Sequence, residues 1–80
     1  MVSAEQIKAA RVLLGWSAQE LAKNSGVGAT TLRRYEMFGG VPNANLSVLS
    51  KIKTTLENEG IEFTGDPLIN PGVILNLKKA

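Results

Sequence analysis

The side chains with the clearest binding chemistry lie together at positions 30–34, where Thr30 and Thr31 precede Arg33 and Arg34. Hydroxyl and guanidinium groups donate hydrogen bonds to phosphate oxygens and base edges, and an arginine can bond both O6 and N7 of a guanine. The chain has no Cys and no His, so it lacks a thiolate nucleophile, an imidazole base and the commonest metal ligand. We therefore expect a binding protein that is not an enzyme and has neither a metal site nor a cofactor.

These donors belong to the second of two short helices. Ser17 followed by Glu20 has the spacing of a capping box, which predicts a helix over about residues 18–24. Gly26 permits a tight reversal, and a further helix then runs over about residues 29–37, with Leu32 and Tyr35 facing the core. Its outer face is left to Ala29, Thr30, Arg33 and Arg34. Two capped helices around a glycine turn indicate a helix-turn-helix, a motif that binds DNA.

Two further helices complete the helical part. Ser3 and Gln6 form another capping box that starts a helix over about residues 4–14, which Gly15 ends. Asn43 or Asn45 can cap a fourth helix that runs through about residue 59. The predicted apolar stripes are Ile7, Ala10, Leu13 and Leu14 in the first helix, and Leu46, Leu49, Ile52 and Leu56 in the fourth.

The last 20 residues alternate as strands do. Ile61 and Phe63 alternate with polar neighbours, and Val73, Leu75 and Leu77 fall on one side of a second segment. Turn-forming residues at 65–67 and 70–72 predict a hairpin with a long connection. The expected fold class is mainly α: a four-helix DNA-binding domain with a C-terminal β-hairpin or strand pair. We expect a single helix-turn-helix domain over residues 1–80, with a helical core at 1–59 and, at 60–80, a strand pair that could mediate dimerisation.

Residues 11–36 resemble the helix-turn-helix of the phage repressor and Cro type, the XRE-like transcriptional regulators. That group shares the pattern R-x-x-x-G-x-S/T-Q-x-x-L-A, then G-V/I-S, then a recognition helix that ends in E. The matching positions are Arg11, Gly15, Ser17, Leu21, Ala22, Gly26, Val27, Leu32 and Glu36. The resemblance implies a repressor-like fold and sequence-specific binding of double-stranded DNA by a transcriptional regulator. We expect repression, because a compact module with no obvious activation surface acts most simply by occupying a promoter. An antitoxin or adaptor that uses the same fold to bind a protein is the alternative.

The resemblance also assigns candidate DNA-binding residues. They are Ser17, Ala18, Gln19, Gly28, Ala29, Thr30, Thr31, Arg33, Arg34 and Asn43. Arg34 matches a position that reads base edges, and Thr30 and Ala29 lie in the first turn of the recognition helix. Thr31 and Arg33 are assigned to phosphates, although helix capping or simple solvation explains either as well.

Some notable residues in and beside the motif are not expected to contact DNA through their side chains. Arg11 and Glu36 match a structural ion pair of the family, so Arg11 is not assigned to DNA. Trp16 follows the helix-ending glycine, and we interpret it as a buried boundary residue and not as a stacking platform. Where the family has Gln, this chain has Ala18, with Gln19 one place later. We therefore expect backbone amides at the start of the second helix, together with the loop that contains Asn43, to hold phosphates.

The expected partners follow from symmetry and charge. One module contacts about half an operator, so we expect a homodimer that binds half-sites ~34 Å apart. The strand over residues 73–77 could pair with a second copy, or it could only cover the fourth helix. A formal charge of +2 is weak support for a polyanionic partner. The sequence has no signal-peptide pattern and no apolar run long enough to span a membrane, so we expect a cytoplasmic protein without a membrane partner.

Overall fold

The computed structural model describes residues 2–41 and 46–77. Its elements are α1 (Ala4–Leu13), α2 (Ala18–Ser25), α3 (Ala29–Phe38), α4 (Leu46–Asn58), β1 (Ile61–Thr64) and β2 (Gly72–Leu75). These bounds confirm the mainly α class with a C-terminal strand pair. None of the helices in the described ranges is long and apolar enough to cross a membrane. The predicted caps of α4, Asn43 and Asn45, lie outside the described residues.

Both predicted capping boxes are present. The Ser3 hydroxyl accepts from the Gln6 amide at 3.1 Å, and the Gln6 side-chain oxygen accepts from the Ser3 amide at 2.9 Å. Ser17 and Glu20 make the same reciprocal pair at 3.1 and 2.9 Å. Because each box satisfies amides that lack an intrahelical partner, α1 and α2 begin at the residues that the spacing predicts.

The strand pair packs against the helices through one face. β1 and β2 are antiparallel, with Ile61 opposite Leu75 and Phe63 opposite Val73. These four side chains pack on the core, and Ile61 is buried. The side-chain Nε2 of Gln6 also donates to the carbonyls of Thr64 and Gly72, at 3.1 and 3.0 Å. Gln6 therefore caps α1 and fastens the turn end of the hairpin to it.

All four helices contribute to the core. The largest side chains with no exposed area are Ile7, Leu21, Leu32, Ile52 and Leu56. Burial of each side chain stabilises the fold by about 1.5–3 kcal/mol relative to its exposure to water. Because one residue from each of α1, α2 and α3 meets two from α4, the core fixes α2 and α3 relative to the rest of the molecule.

Three residues of the predicted apolar faces are exposed instead. Leu13 is exposed because Leu14, one residue on, takes the core-facing position at the end of α1. Leu46 is 78% exposed, since it lies in the first turn of α4, one turn before the buried Leu49. Leu77 is exposed because pairing of β2 ends at Leu75. The prediction of a continuous apolar stripe was therefore wrong at these ends.

Candidate nucleic-acid interface

The turn between α2 and α3 fixes the position of the donor-bearing helix. Gly26 ends α2 in the left-handed conformation, with φ 74°, and the Val27 amide donates back to the Ala22 carbonyl at 3.1 Å. An L side chain is disfavoured at that φ, so glycine suits the reversal. Leu21 of α2 and Leu32 of α3 are both fully buried. One face of α3 is thereby held against α2 and the core.

The opposite face of α3 points to solvent. The exposed side chains are Thr30, Arg33, Arg34, Met37 and Phe38, whereas Thr31 is half-buried. Gly28 is exposed at the N-cap, where no side chain caps the first turn of α3. Ala29 was predicted on the outer face, but it is half-buried and packs against the core, because it lies close on the helix wheel to Leu32.

The exposed face of α3 is cationic because its acidic residue points inward. Glu36 is the one acidic residue in the α3 sequence, and its carboxylate pairs with Arg11 of α1. Arg33 and Arg34 are exposed, and among the described residues the Glu36 carboxylate bonds Arg11 and neither of these two arginines. The outer face of α3 therefore presents two guanidinium groups and the Thr30 hydroxyl without a neutralising carboxylate of its own.

Arg11 is held within the fold by three hydrogen bonds. Its Nε donates to Glu36 Oε2 at 3.0 Å and its Nη2 to Glu36 Oε1 at 2.9 Å, while Nη1 donates to the Trp16 carbonyl at 2.8 Å. The Arg11 and Glu36 side chains are 15% and 9% exposed. Trp16 is itself half-buried and packs on the core. This arrangement joins the end of α1 to α3 and leaves Arg11 with little capacity to contact a phosphate.

The N-terminus of α2 carries a carboxylate. Glu20 accepts a hydrogen bond from the Ser17 amide, which lowers the pKa of the Glu20 carboxyl below its ordinary value. Ser17 and Gln19 are exposed, whereas Ala18 is half-buried against the core. The first intrahelical bond runs from the Leu21 amide to the Ser17 carbonyl. The amides of Ala18 and Gln19 precede it, so they are the backbone donors that α2 can offer a phosphate.

The loop after α3 is anchored at its start. Gly40 accepts from the Ala4 amide at 2.7 Å and donates to the Glu5 carboxylate at 3.0 Å. This places the first part of the loop against the N-terminus of α1. Asn43, the residue of this loop that was assigned to DNA, lies outside the described residues.

Met37 and Phe38 are two exposed residues that the sequence analysis did not assign. Both lie at the C-terminal end of the exposed face of α3. Helical spacing could have indicated them, since Met37 follows Arg34 by three positions and Phe38 follows it by four. They extend the face from polar donors at its first turns to an apolar end.

A comparison with protein families agrees with this geometry. A family model described as helix-turn-helix matches residues 7–56, which is more than half of the chain and includes all of α2 and α3. The strand pair lies beyond the match. Among curated proteins, no significant match was found. By its motif and its geometry, the chain belongs to the XRE-like helix-turn-helix family of DNA-binding proteins.

Proposed function

We propose that this protein is a sequence-specific transcriptional regulator that places α3 in the major groove of double-stranded DNA and represses by occupying a promoter. The observation that carries the proposal is the exposed face of α3, where Thr30, Arg33 and Arg34 point outward and Glu36 is turned inward onto Arg11. The major groove, which presents the acceptors O6 and N7 of guanine and is flanked by phosphates, suits such a face. A bound module of this kind blocks access to the promoter without any further contact.

Each donor has a proposed role. Arg34 bonds O6 and N7 of a guanine, and Thr30, in the first turn of α3, reaches a neighbouring base edge. Arg33 and Thr31 contact phosphates on either side of the groove. Ala29 is half-buried, so only part of its methyl group is available to a thymine methyl, and Gly28 lets the backbone approach closely.

Phosphate contacts outside α3 come from two places. The amides of Ala18 and Gln19, with the exposed side chains of Ser17 and Gln19, face one strand. The Glu20 carboxylate at the same helix end repels a phosphate, which limits the strength of this contact. Asn43 and its loop are proposed to contact the backbone on the other side.

The proposed regulator acts in the cytoplasm as a homodimer. A single helix of this kind reads only part of an operator, and two copies related by a two-fold axis would read half-sites ~34 Å apart. Two-fold symmetry of the protein would then be matched by an inverted repeat in the DNA.

Enrichment of a random duplex pool tests the proposal. Wild-type protein should select one sequence class, and its affinity for that class should fall steeply as salt rises. Arg34→Ala should select sequences with a weaker base preference than wild type. Lys51→Ala, which removes one exposed charge from α4, should select the same class as wild type. Failure of the wild-type protein to enrich any sequence would contradict DNA recognition by α3.

A protein-binding adaptor or antitoxin is the second candidate. The exposed Met37 and Phe38 favour it, because apolar side chains at the end of a cationic face suit a protein surface better than a phosphate backbone. This candidate predicts a complex whose affinity is unchanged by Arg33→Ala and Arg34→Ala but lost in Met37→Lys. If Arg33→Ala and Arg34→Ala weaken binding to the protein partner as much as they weaken binding to DNA, this second candidate is wrong.

A further inference from the structure

The outer edge of β2 has unused hydrogen-bonding groups. The Asn76 amide donates to the Gly60 carbonyl at 2.8 Å, which sets the phase of the antiparallel ladder. Glu62 with Ile74 and Thr64 with Gly72 are then the hydrogen-bonded pairs, so the amides and carbonyls of Val73 and Leu75 point away from β1. In residues 2–41 and 46–77, no hydrogen bond reaches those groups of Val73 and Leu75.

An apolar groove lies beside this edge. It has a volume of about 630 Å³ and is bounded by Val73 on one side and by α1 on the other, where Ala9, Val12 and Leu13 line it together with the charged Glu5 and Lys8. Val12 and Leu13 are 60% and 47% exposed although they belong to a helix whose other face is buried. The groove therefore gives an apolar surface next to a strand edge that can accept another strand.

These two features together fit an extended segment. A strand added to β2 would bond Val73 and Leu75 through its backbone and would lay alternate side chains into the groove on α1. Neither the open edge nor the groove alone would define such a ligand. The strand must have small or medium apolar side chains at every second position.

β2 itself meets this description. If two β2 strands pair antiparallel about a two-fold axis through Ile74, Val73 of each copy lies opposite Leu75 of the other. Both of those pairs use the amides and carbonyls that point outward, so the phase of the ladder is correct for each copy. The inward side chains, Val73 and Leu75, then continue the apolar row that Ile61 and Phe63 begin.

Charge also permits the pairing. Ile74, 46% exposed, would meet its own copy across the axis in a non-hydrogen-bonded pair, where side chains are closest. The strand from Gly72 to Leu75 has no charged residue. Glu62 lies on β1, so the two copies of Glu62 would be separated by three strand spacings of ~4.8 Å each, beyond the screening length at physiological salt.

We propose that the β2 edge and the α1 groove form the self-association surface, and that its partner is β2 of a second copy. The proposal rests on the homodimer proposed above and does not require DNA. A four-residue strand and one helix face fall below the ~20 residues per partner of a stable interface, so the free dimer should be weak and should be strengthened when both copies sit on one operator.

NMR measurement of amide exchange tests the register of the proposed β2–β2 pairing directly. It is done without DNA, across a series of protein concentrations. The amides of Val73 and Leu75 should become protected as concentration rises. The amide of Ile74 should change little, because it is bonded to β1 in each copy. Amide-exchange rates of Val73 and Leu75 that stay independent of protein concentration up to the millimolar range would overturn the proposal. Protection of the outward-facing amides of Ile61 and Phe63 on β1, instead of those on β2, would also overturn it.

Two variants with a matched change identify the surface. Ile74→Lys places like charges across the axis and should abolish the concentration-dependent increase in mass seen by sedimentation, with the fold retained by circular dichroism. Leu46→Lys changes an exposed residue of the separate groove between Val2 and Leu49, and it should self-associate as wild type does. The reverse pattern would assign dimerisation to the α4 groove and refute the β2 interface.

DNA binding distinguishes this proposal from the preceding one. If α3 reads DNA and β2 pairs, Ile74→Lys should still bind a single half-site as wild type does and should lose the extra affinity for the inverted repeat. If Ile74→Lys keeps the full affinity for the inverted repeat, the β2 proposal is wrong while the DNA-binding proposal stands. If neither protein binds DNA but Val73 and Leu75 still become protected, only the DNA-binding proposal fails.

Discussion

Removal of one partner of the Arg11–Glu36 pair should be among the most destabilising single changes in this protein. Glu36→Leu leaves a guanidinium that is only 15% exposed with one hydrogen bond, to the Trp16 carbonyl, where it had three. Breaking a buried ion pair costs about 3–5 kcal/mol, and we expect ~3 kcal/mol here because that third bond remains and the arginine retains some access to water. The total free energy of unfolding for a chain of 80 residues is about 4–12 kcal/mol.

The assay is a double-mutant cycle by urea and thermal unfolding. Glu36→Leu and Arg11→Met should each lower the melting temperature by about 12 °C or more, at ~4–8 °C per kcal/mol for a chain of this size. The double variant should lose less than either single one, because apolar side chains of similar size can replace a buried pair at little cost. Glu57→Leu, at an exposed position on α4, is the control and should change stability by no more than ~0.5 kcal/mol.

The cycle can refute the reasoning in two ways. A loss below ~1 kcal/mol for Glu36→Leu would show that the pair behaves as a surface salt bridge. A double variant that loses the sum of the two single losses would show that the residues act independently and that the bidentate contact adds nothing. The double variant should also bind DNA as wild type does, since neither residue faces the groove in the proposed complex.

Three further predictions concern the elements that position α3. The pKa of the Glu20 carboxyl is lowered from 4.5, so its ionised form stabilises the fold above pH 4.5, and this contribution is lost as pH falls through the lowered pKa. Glu20→Gln should therefore cost more stability at pH 7 than at pH 3, measured by urea unfolding. Equal costs at the two pH values would contradict a stabilising contribution from the ionised Glu20 carboxylate. Gly26→Ala should cost ~1–2 kcal/mol in thermal unfolding, because the added methyl meets no atom within 4 Å but φ is 74°, and a neutral result would mean that the turn relaxes freely. Gln6→Leu should speed amide exchange in the hairpin more than in α2, and uniform exchange rates would show that the strand pair does not depend on this side chain.

Local signals in the sequence were sufficient for the helices of the motif. Ser17 with Glu20, and Gly26 after them, set the bounds of α2 because capping and left-handed glycine act within one turn of chain. Tyr35 and Leu32 on the inner face of α3 follow from helical spacing in the same way. These features do not depend on what packs against them, so they can be predicted without the fold.

Contacts between distant segments could not be predicted from spacing. Gln6 was assigned to a capping box, yet it also holds Thr64 and Gly72, which lie 58 and 66 residues away. Leu46 fits the apolar period of α4, but its exposure depends on where neighbouring elements end. The inward turn of Glu36, which leaves the α3 surface cationic, was expected only through the family resemblance.

The most direct test of DNA reading by α3 is a fluorescence-anisotropy titration of the selected duplex and of each single base-pair substitution in it, for wild type and Arg34→Ala. Wild type should lose about 5- to 150-fold in affinity, or ~1–3 kcal/mol, when the single G·C pair that one Arg34 contacts is changed. Arg34→Ala should bind the duplexes that differ at this base pair with equal affinity, and it should keep the wild-type preferences at the other positions. An unchanged preference profile in Arg34→Ala would show that Arg34 does not read bases, and a wild-type profile that is flat at every position would contradict sequence recognition by α3.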